Sequence, residues 1–191
     1  MFGFSEFLYK TLIMIASIRL VPLLPVSNEL VSSLVQPLRS VFQTDVILDD
    51  PLNNVINTVY DDSRLQYNST QLIRELLKRF PSSSTKIVGI TSVDLFVPVL
   101  TYVFGEAQLD GTAGVVSTYQ LDDTIYGLEP NPILFFERSL IETIHELGHT
   151  YGLYHCKNQE CAMHASTAVE DIDLKSAMLC VSCREQIGID N

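Results

Sequence analysis

The sequence predicts a single domain of the α/β class, which some classification schemes would place in α+β. Its 191 residues, of which 47% are hydrophobic, suit one domain with a sizeable buried core. Mostly apolar stretches, typical of buried strands, alternate along the chain with stretches whose apolar residues recur every three or four positions, typical of amphipathic helices. This alternation predicts helices packed on a sheet.

The first half of the chain is predicted to supply two helices. Residues 28–42 carry one apolar stripe, preceded by Ser27 as the N-cap. Pro37 within the stripe predicts a kink or a break, because proline has no backbone N–H to donate. A second helix is expected over residues 70–80, ended by Pro81. The other elements predicted here are Asn68 or Ser69 as the cap of that helix, buried strands at 14–22 and 45–48, and a loop or hairpin at 53–60 and 66–67.

The second half is predicted to complete the sheet and to carry a further helix at residues 139–151, after a turn at 129–132. Beyond residue 151 the chain is expected to be irregular, with only a short helix at 180–187. The strands expected in this half are 86–91, 97–108 and 114–121.

The most specific pattern is HExxHxxGxxH at residues 145–155. On a helix, His145 and His149 lie one turn apart on the same face, so both imidazoles can reach one metal ion. Gly152 permits a turn that a side chain would resist, and this turn can return His155 as the third ligand. Three neutral imidazoles bind zinc and leave a fourth position for water. Glu146 is then placed to accept a proton from that water as the general base.

A second pattern, C-x4-C-x18-C-x2-C, contains all four cysteines of the chain: Cys156, Cys161, Cys180 and Cys183. Two such pairs separated by a loop predict a closed structural zinc site. Two disulfides are an alternative, although no convincing secretory signal supports an oxidising compartment. A redox pair at Cys180 and Cys183 is a third interpretation, but the strand-then-helix context of such sites is missing.

Together these patterns resemble the archaemetzincins, a metzincin-like family of zinc peptidases. The family pattern HExxHxxGxxHC, x4, Cys, x, Met, spacer, CxxC maps onto the chain from His145 to Cys183 without a departure at any ligand position. The match is specific over about residues 141–185. Weaker likeness extends to Arg64, Gln66 and Tyr67 and to residues 105–118.

The resemblance implies a metzincin-like domain with a mixed twisted sheet above a cleft, a backing helix, and an active-site helix beneath. Met163 corresponds to the methionine that forms an apolar floor below the catalytic zinc. A rim strand is expected to bind peptide by strand addition, and residues 113–118 are our candidate for it. The predicted catalytic domain is 14–191, with a small irregular zinc-stabilised lobe at about 152–191. Residues 1–13 are an extension that either precedes the native start at Met14 or forms a short amphipathic helix.

The implied function is a zinc metallopeptidase that hydrolyses peptide bonds in peptides or proteins, with two Zn²⁺ per chain, one catalytic and one structural. A non-catalytic zinc-binding adaptor on the same scaffold is the alternative, and the intact Glu146 argues against it. His164 is not expected to be a ligand, because the three-histidine set is complete without it. No cysteine precedes Cys156, so no cysteine-switch zymogen is expected. The candidate donors for stabilising the oxyanion are Tyr119, Tyr126, Tyr151 and Tyr154.

Charge and hydropathy exclude other classes of partner. The formal net charge of −11 disfavours nucleic acid and anionic membranes. The apolar stretch at residues 11–18 is too short to cross a bilayer, and its flanks do not make a signal peptide. We therefore predict a cytoplasmic protein without nucleic-acid or membrane partners, and a monomer in preference to an oligomer.

Overall fold

A computed structural model describes residues 17–81 and 84–189. The predicted extension at 1–13 and the start of the first predicted strand, residues 14–16, lie outside this range. The strands are β1 (Ser17–Pro22), β2 (Val46–Leu48), β3 (Tyr60–Asp61), β4 (Gln66–Asn68), β5 (Thr85–Thr91), β6 (Leu95–Phe96), β7 (Gly105–Ala107) and β8 (Ala113–Ser117), and the helices are α1 (Asn28–Phe42), α2 (Ser69–Arg79), α3 (Pro132–Thr150), α4 (Val169–Asp173) and α5 (Val181–Gln186).

The main sheet has five strands in the order β2-β1-β5-β8-β7. Strands β1, β2, β5 and β8 run parallel, with Ile18 opposite Val46 on one side and Lys86 on the other. Strand β7 runs antiparallel to β8 and forms one edge. A small second sheet joins β3, β4 and β6, and its antiparallel β3–β4 pair is the hairpin expected near residues 60–67. The predicted α/β class is confirmed.

Alternate residues of the parallel strands feed two hydrophobic clusters, one on each face of the sheet. Helices α1 and α3 cover one face, where Ile18 and Leu20 of β1 are fully buried. Helix α2 and a 3₁₀ turn at Ile56–Val59 cover the other face, where Val21 is fully buried. The sheet therefore lies between two helical layers and forms the rigid platform beside α3.

Local polar residues set where the helices begin. Ser27 accepts a hydrogen bond from Leu30 N at the start of α1, as predicted, and Asn68 is the cap of α2. Helix α1 continues through Pro37 without a break. The carbonyl that loses its hydrogen bond there belongs to the exposed Ser33, where water can satisfy it.

Three predicted boundaries are wrong. Residues 97–108 do not form one strand, because β6 ends before them and β7 occupies only their last part. Strand β8 ends at Ser117 and is followed by a 3₁₀ turn at Tyr119–Leu121. Helix α3 begins at Pro132, not residue 139, because Asn131 caps it and Pro132 favours the first helical position.

The rim-strand prediction also needs correction. Residues 113–118 contain β8, which pairs with β5 on one side and β7 on the other. A strand paired on both sides has no free backbone groups for a peptide. The sheet edge at this position is β7, which lies within the longer strand predicted at 97–108.

Between residues 151 and 189 the chain is largely irregular, as predicted for the lobe. It contains the expected short helix, α5, and a second short helix, α4, that was not predicted. Backbone hydrogen bonds join its loops: Cys156 N donates to Met163 O at 2.8 Å, and Ala162 N donates to Met178 O at 3.0 Å. None of the helices in the described residues is long and apolar enough to cross a membrane.

Candidate metal centre and active site

Helix α3 and the chain that follows it bring three histidines together. His145 and His149 lie one turn apart, with Nε2 atoms 3.1 Å apart. The ring of His155 approaches from outside the helix, with its centroid 5.3 Å from that of His145 and 5.1 Å from that of His149. One ligand nitrogen from each residue lies within 4.8 Å of the other two. All three histidines predicted as ligands therefore converge on one point.

A glycine turn returns the chain to the helix. Gly152 has φ of +92°, a left-handed conformation that side chains resist. Gly152 N donates to His149 O at 2.9 Å, and Leu153 N donates to Gly148 O at 3.0 Å. These bonds satisfy carbonyl groups at the end of α3 and direct the chain so that His155 faces the other two rings.

Backbone carbonyls fix the orientation of the two helical histidines. Nδ1 of His145 lies 2.8 Å from Ala162 O, and Nδ1 of His149 lies 2.8 Å from Leu153 O. Because a carbonyl only accepts, each Nδ1 carries the proton and each Nε2 keeps its lone pair. Burial lowers the pKa of His145 to about 3 and also lowers the pKa values of His149 and His155. The neutral imidazole is the form that binds metal.

Glu146 lies beside the histidines in a buried position, with 5% of the residue exposed. Its carboxylate packs against Gly105 of β7, where a Cβ would lie 2.6 Å from Oε1. Burial, with smaller contributions from the carboxylates of Glu142 and Glu106, raises the pKa of Glu146 well above its usual range. A cation at the three histidines would oppose this shift and favour the ionised carboxylate.

Met163 lies directly beneath α3. Met163 is fully buried. Its sulfur lies directly against Gly148, so that a side chain at Gly148 would collide with it. The thioether therefore packs against α3 one residue from His149, a position that fits the predicted apolar floor.

The four cysteines form a second cluster, whose sulfur atoms lie within 4.8 Å of one another. The Sγ atoms of Cys156 and Cys180 are 3.7 Å apart, and those of Cys161 and Cys183 are 3.8 Å apart. All four are free, and these separations far exceed the roughly 2.05 Å of a disulfide bond. The disulfide alternative is therefore not supported. Burial raises the pKa values of Cys161 and Cys183, so a bound cation is needed to favour their thiolates.

Both donor sets fit zinc. Nitrogen ligands about 2.0–2.1 Å from a tetrahedral zinc lie roughly 3.3 Å from each other, and thiolates at about 2.3 Å lie roughly 3.8 Å apart. The separations of 3.1 Å for the two Nε2 atoms and 3.7 and 3.8 Å for the sulfur pairs are close to these values. The cysteine set leaves no open position, whereas the histidine set leaves one.

A cleft of about 510 Å³ opens over the histidine cluster. Strand β7 forms its upper side, and Ala165, Ser166 and Thr167 line it from the C-terminal lobe. The Ser166 hydroxyl is buried without a hydrogen-bond partner. The remaining lining residues are Leu100, Thr101, Tyr102, Val103, Phe104, Glu142, His145, Glu146, His149 and His155.

The tyrosines proposed as oxyanion donors do not line this cleft. Tyr151 stacks on Phe42 with ring centroids 5.1 Å apart, and Tyr126 donates to Gln120 O at 3.0 Å. Of the described residues that line the cleft, one is a tyrosine, Tyr102, which is not among the predicted donors. His164 also stays outside the cluster, with its Nδ1 donating to Cys156 O at 2.8 Å.

Two charged residues near the site were missed by sequence reasoning. Glu142 lies one turn before His145 and Glu146, and its carboxylate forms an ion pair at 3.2 Å with Lys175 of the C-terminal lobe. The helical spacing of Glu142 from Glu146 placed both on one face. Nothing in the sequence pairs Glu142 with a lysine so far along the chain.

Comparisons with known proteins agree with this geometry. The family model described as Peptidase family M54 matches residues 28–188. An archaemetzincin from Methanocaldococcus jannaschii is 35% identical over 176 residues, which cover 92% of this chain and 95% of the relative. An archaemetzincin from Haloquadratum walsbyi is 39% identical over 150 residues, which cover 76% of this chain and 84% of the relative.

Solved structures give the same result. The archaemetzincin of Archaeoglobus fulgidus, crystallised in complex with malonate, has a TM-score of 0.76 at 32% identity and covers 89% of this chain and 99% of its own. A zinc-dependent peptidase from Methanocorpusculum labreanum has a TM-score of 0.81 at 26% identity, with the same coverage of 89% and 99%. The predicted archaemetzincin fold is confirmed. The chain therefore belongs to peptidase family M54, the archaemetzincins, and is a metallopeptidase.

Proposed function

We propose that this metallopeptidase uses a zinc ion held by His145, His149 and His155, with Glu146 as the general base. The observation that carries the proposal is the position of Glu146, a buried carboxylate beside three converging imidazoles and beneath the edge strand of the cleft. Zinc, when bound, polarises a water molecule and the carbonyl of the scissile bond.

The residues of the chain supply the proton transfers and the orientation. Glu146 accepts the proton of the attacking water and passes it to the leaving amine. The Ala162 and Leu153 carbonyls keep the imidazoles of His145 and His149 in the ligating tautomer. Walls on both sides of the cleft limit the access of bulk water to Glu146, which strengthens the electrostatic interactions there.

Strand β7 is the proposed site of peptide binding. One of its edges pairs with β8, and within the described residues its other edge pairs with no strand. An extended peptide can add to this edge through backbone hydrogen bonds, with its scissile bond lying above the histidines. The family implies a peptide substrate. The walls of the cleft at Tyr102 and residues 165–167 then determine which peptide sequences the enzyme accepts.

The four cysteines are proposed to hold a second, structural zinc, which gives two zinc ions per chain. Their free thiols suit a reducing compartment, and a cytoplasmic location stays a prediction on that ground. The absence of nucleic-acid partners and the monomeric state also stay predictions, based on the net charge of −11.

The alternative is an adaptor that binds zinc without turnover. Such a protein has no need of a buried carboxylate next to its metal, since burying an ionisable group is costly. Glu146 is buried, and the nearby Lys175 ammonium forms its ion pair with Glu142 and not with Glu146. This favours the peptidase.

The test is digestion of a mixed peptide library by the zinc-loaded protein, read by mass spectrometry. We expect the wild type to cleave and Glu146→Gln to lose about 10²–10⁴-fold in rate, with its metal content unchanged. Glu137→Gln is the matched control, because Glu137 is an exposed carboxylate on the same helix, and it should cleave like the wild type. No cleavage by the wild type with both sites metallated would favour the adaptor.

A further inference from the structure

Lys175 and Glu142 form an ion pair that is sealed from solvent. Their side chains are 0% and 4% exposed, and the Lys175 ammonium lies 3.2 Å from Glu142 Oε1. Glu142 belongs to α3, whereas Lys175 follows α4 in the C-terminal lobe. The pair therefore joins the helix of the first two histidines to the segment that carries the rest of the site.

Stability alone does not account for this pair. Two charges lose their hydration when they are buried, and replacing such a pair with apolar residues of similar volume is often neutral or stabilising. Burial indeed raises the pKa of Glu142, an effect that Lys175 opposes. Fixing the position of other groups is one role that a buried pair serves.

The group within reach is the Ala162 carbonyl. Lys175 Nζ lies 3.5 Å from Ala162 O, at the long limit of a hydrogen bond. The same oxygen accepts the Nδ1 proton of His145 at 2.8 Å. The Lys175 ammonium thus contacts both Glu142 of α3 and the carbonyl that orients the His145 ring.

The loop that presents this carbonyl also presents two other functional residues. Cys161 precedes Ala162 and belongs to the cysteine cluster, and Met163 follows it under α3. Holding Ala162 in place therefore fixes the floor of the site and the partner of its first ligand together.

We propose that Lys175 and Glu142 are positioning residues for the catalytic metal, holding the Ala162 carbonyl so that His145 presents Nε2 to the ion. The inference rests on the proposed three-histidine site. It predicts that removing the pair weakens metal binding at the histidines by about 10–100-fold, the usual effect of losing a group that orients a ligand.

The experiment uses the full chain and the double variant Glu142→Leu/Lys175→Met, which replaces the pair with apolar side chains and avoids a lone buried charge. Co²⁺ is titrated in competition with a chelator. Cobalt at thiolates and cobalt at imidazoles absorb at different wavelengths, so the two sites are followed separately. NMR of ¹⁵N-histidine in the zinc-loaded protein reports which nitrogen of His145 carries the proton.

We expect the double variant to keep cobalt at the cysteines and to lose affinity at the histidines, with a mixed or altered tautomer at His145. Arg138→Met is the matched control, because it breaks another ion pair between α3 and the lobe, that of Arg138 with Asp173, without touching a partner of a ligand. Its histidine-site affinity should equal that of the wild type. Lys175→Met gives a second measurement should the double variant fail to fold. It removes the contact with the Ala162 carbonyl and leaves Glu142, whose pKa is raised by burial, to be protonated, and the same loss is expected.

Two outcomes would overturn the inference in different ways. Wild-type affinity and an unchanged His145 tautomer in the folded variants would show that the pair is only structural, and the proposed function would stand. A wild type that binds no metal at the histidines would overturn the proposed function as well.

Discussion

The two halves of the molecule differ in the interactions that stabilise them. Up to the end of α3, the chain buries apolar side chains on both faces of a five-stranded sheet. After α3, residues 151–189 form turns and two short helices. They add a smaller set of apolar side chains, among them Leu153, Met163 and Ile172, to the cluster on the α3 face. They are held further by backbone hydrogen bonds, by ion pairs to α3 and by a cluster of four thiols.

The histidine site spans both halves, which explains their different roles. His145, His149 and Glu146 lie on a helix whose Ile144 and Leu147 are fully buried, so these groups are in place as soon as the core is formed. His155, by contrast, belongs to the second half. We infer that the first half orders its part of the site by itself and that the second half depends on metal.

The largest expected effect comes from the cysteines. Cys180→Ser removes one of four thiolates, and binding of a structural zinc contributes about 10–16 kcal/mol to folding in small zinc domains. We expect residues 151–189 to become sensitive to protease, with loss of the second zinc and of most activity, while the sheet stays folded. Metal analysis combined with limited proteolysis measures both. Two zinc ions and full activity in this variant would show that the second half does not need its metal.

A substitution that creates a cavity under α3 tests the stability of the first half. Ile144 is fully buried between the helix and the sheet, and truncating such a residue to alanine costs about 2–5 kcal/mol. We expect Ile144→Ala to lower the free energy of unfolding by that amount in urea denaturation, both with and without metal. Ile133→Ala is the control, because this residue of the same helix is 73% exposed, and its effect should stay within about 0.5 kcal/mol.

Arg138 joins the two halves of the molecule through an ion pair. Its guanidinium, with 5% of the side chain exposed, pairs with Asp123 and with Asp173 of α4, each at 2.6 Å. Breaking a buried pair costs about 3–5 kcal/mol, and we expect about 2 kcal/mol from Arg138→Met, because Asp173 is partly solvated. Denaturation of the zinc-loaded protein is the measurement. Arg39→Met, which breaks an exposed pair with Asp45 at 3.9 Å, should have almost no effect, and equal losses in both would contradict the account.

The last expected effect is a pH dependence of the metal-free protein. The unfolded chain takes up a proton on histidine below pH about 6.5, whereas the pKa of folded His145 is about 3. Folding is therefore weakened as pH falls from about 6.5 towards 3, and the lowered pKa of His149 on the same helix acts in the same direction. Glu146 acts in the opposite direction, because its raised pKa favours folding at low pH and this contribution is lost as pH rises through the folded pKa.

The two contributions can be separated by one substitution. In metal-free Glu146→Gln, stability should fall as pH decreases from 6.5 to 4.5 by up to about 1.4 kcal/mol per pH unit for each proton. The wild type should show a weaker dependence over the same range. Denaturation curves at several pH values in the presence of a chelator make the comparison, and identical slopes would contradict the environment assigned to Glu146.

Local patterns predicted much of this molecule. The stripe after Ser27, the proline at the end of α2 and the HExxHxxGxxH spacing each follow from short-range chemistry, and α1 and α2 formed as expected. The capped start of α3 also follows from short-range chemistry, since Asn131 precedes Pro132, although residues 129–132 fit a turn as well.

Features that depend on distant pairing could not be predicted. Residues 97–108 are apolar enough for a strand, yet only Gly105–Ala107 pairs in the main sheet, because β8 offers its edge there. The assignment of β8 as the rim strand failed for the same reason. The Glu142–Lys175 pair is set by how the lobe folds back on α3, which no local spacing reveals.

Hydrogen–deuterium exchange of the metal-free and zinc-loaded protein, both kept reduced, tests the difference between the halves most directly. In the metal-free protein we expect β1, β5, β8 and α3 to stay protected and residues 151–189 to exchange rapidly, with protection restored by zinc. A lobe that is equally protected without metal, or a sheet that loses its protection together with the lobe, would contradict the account.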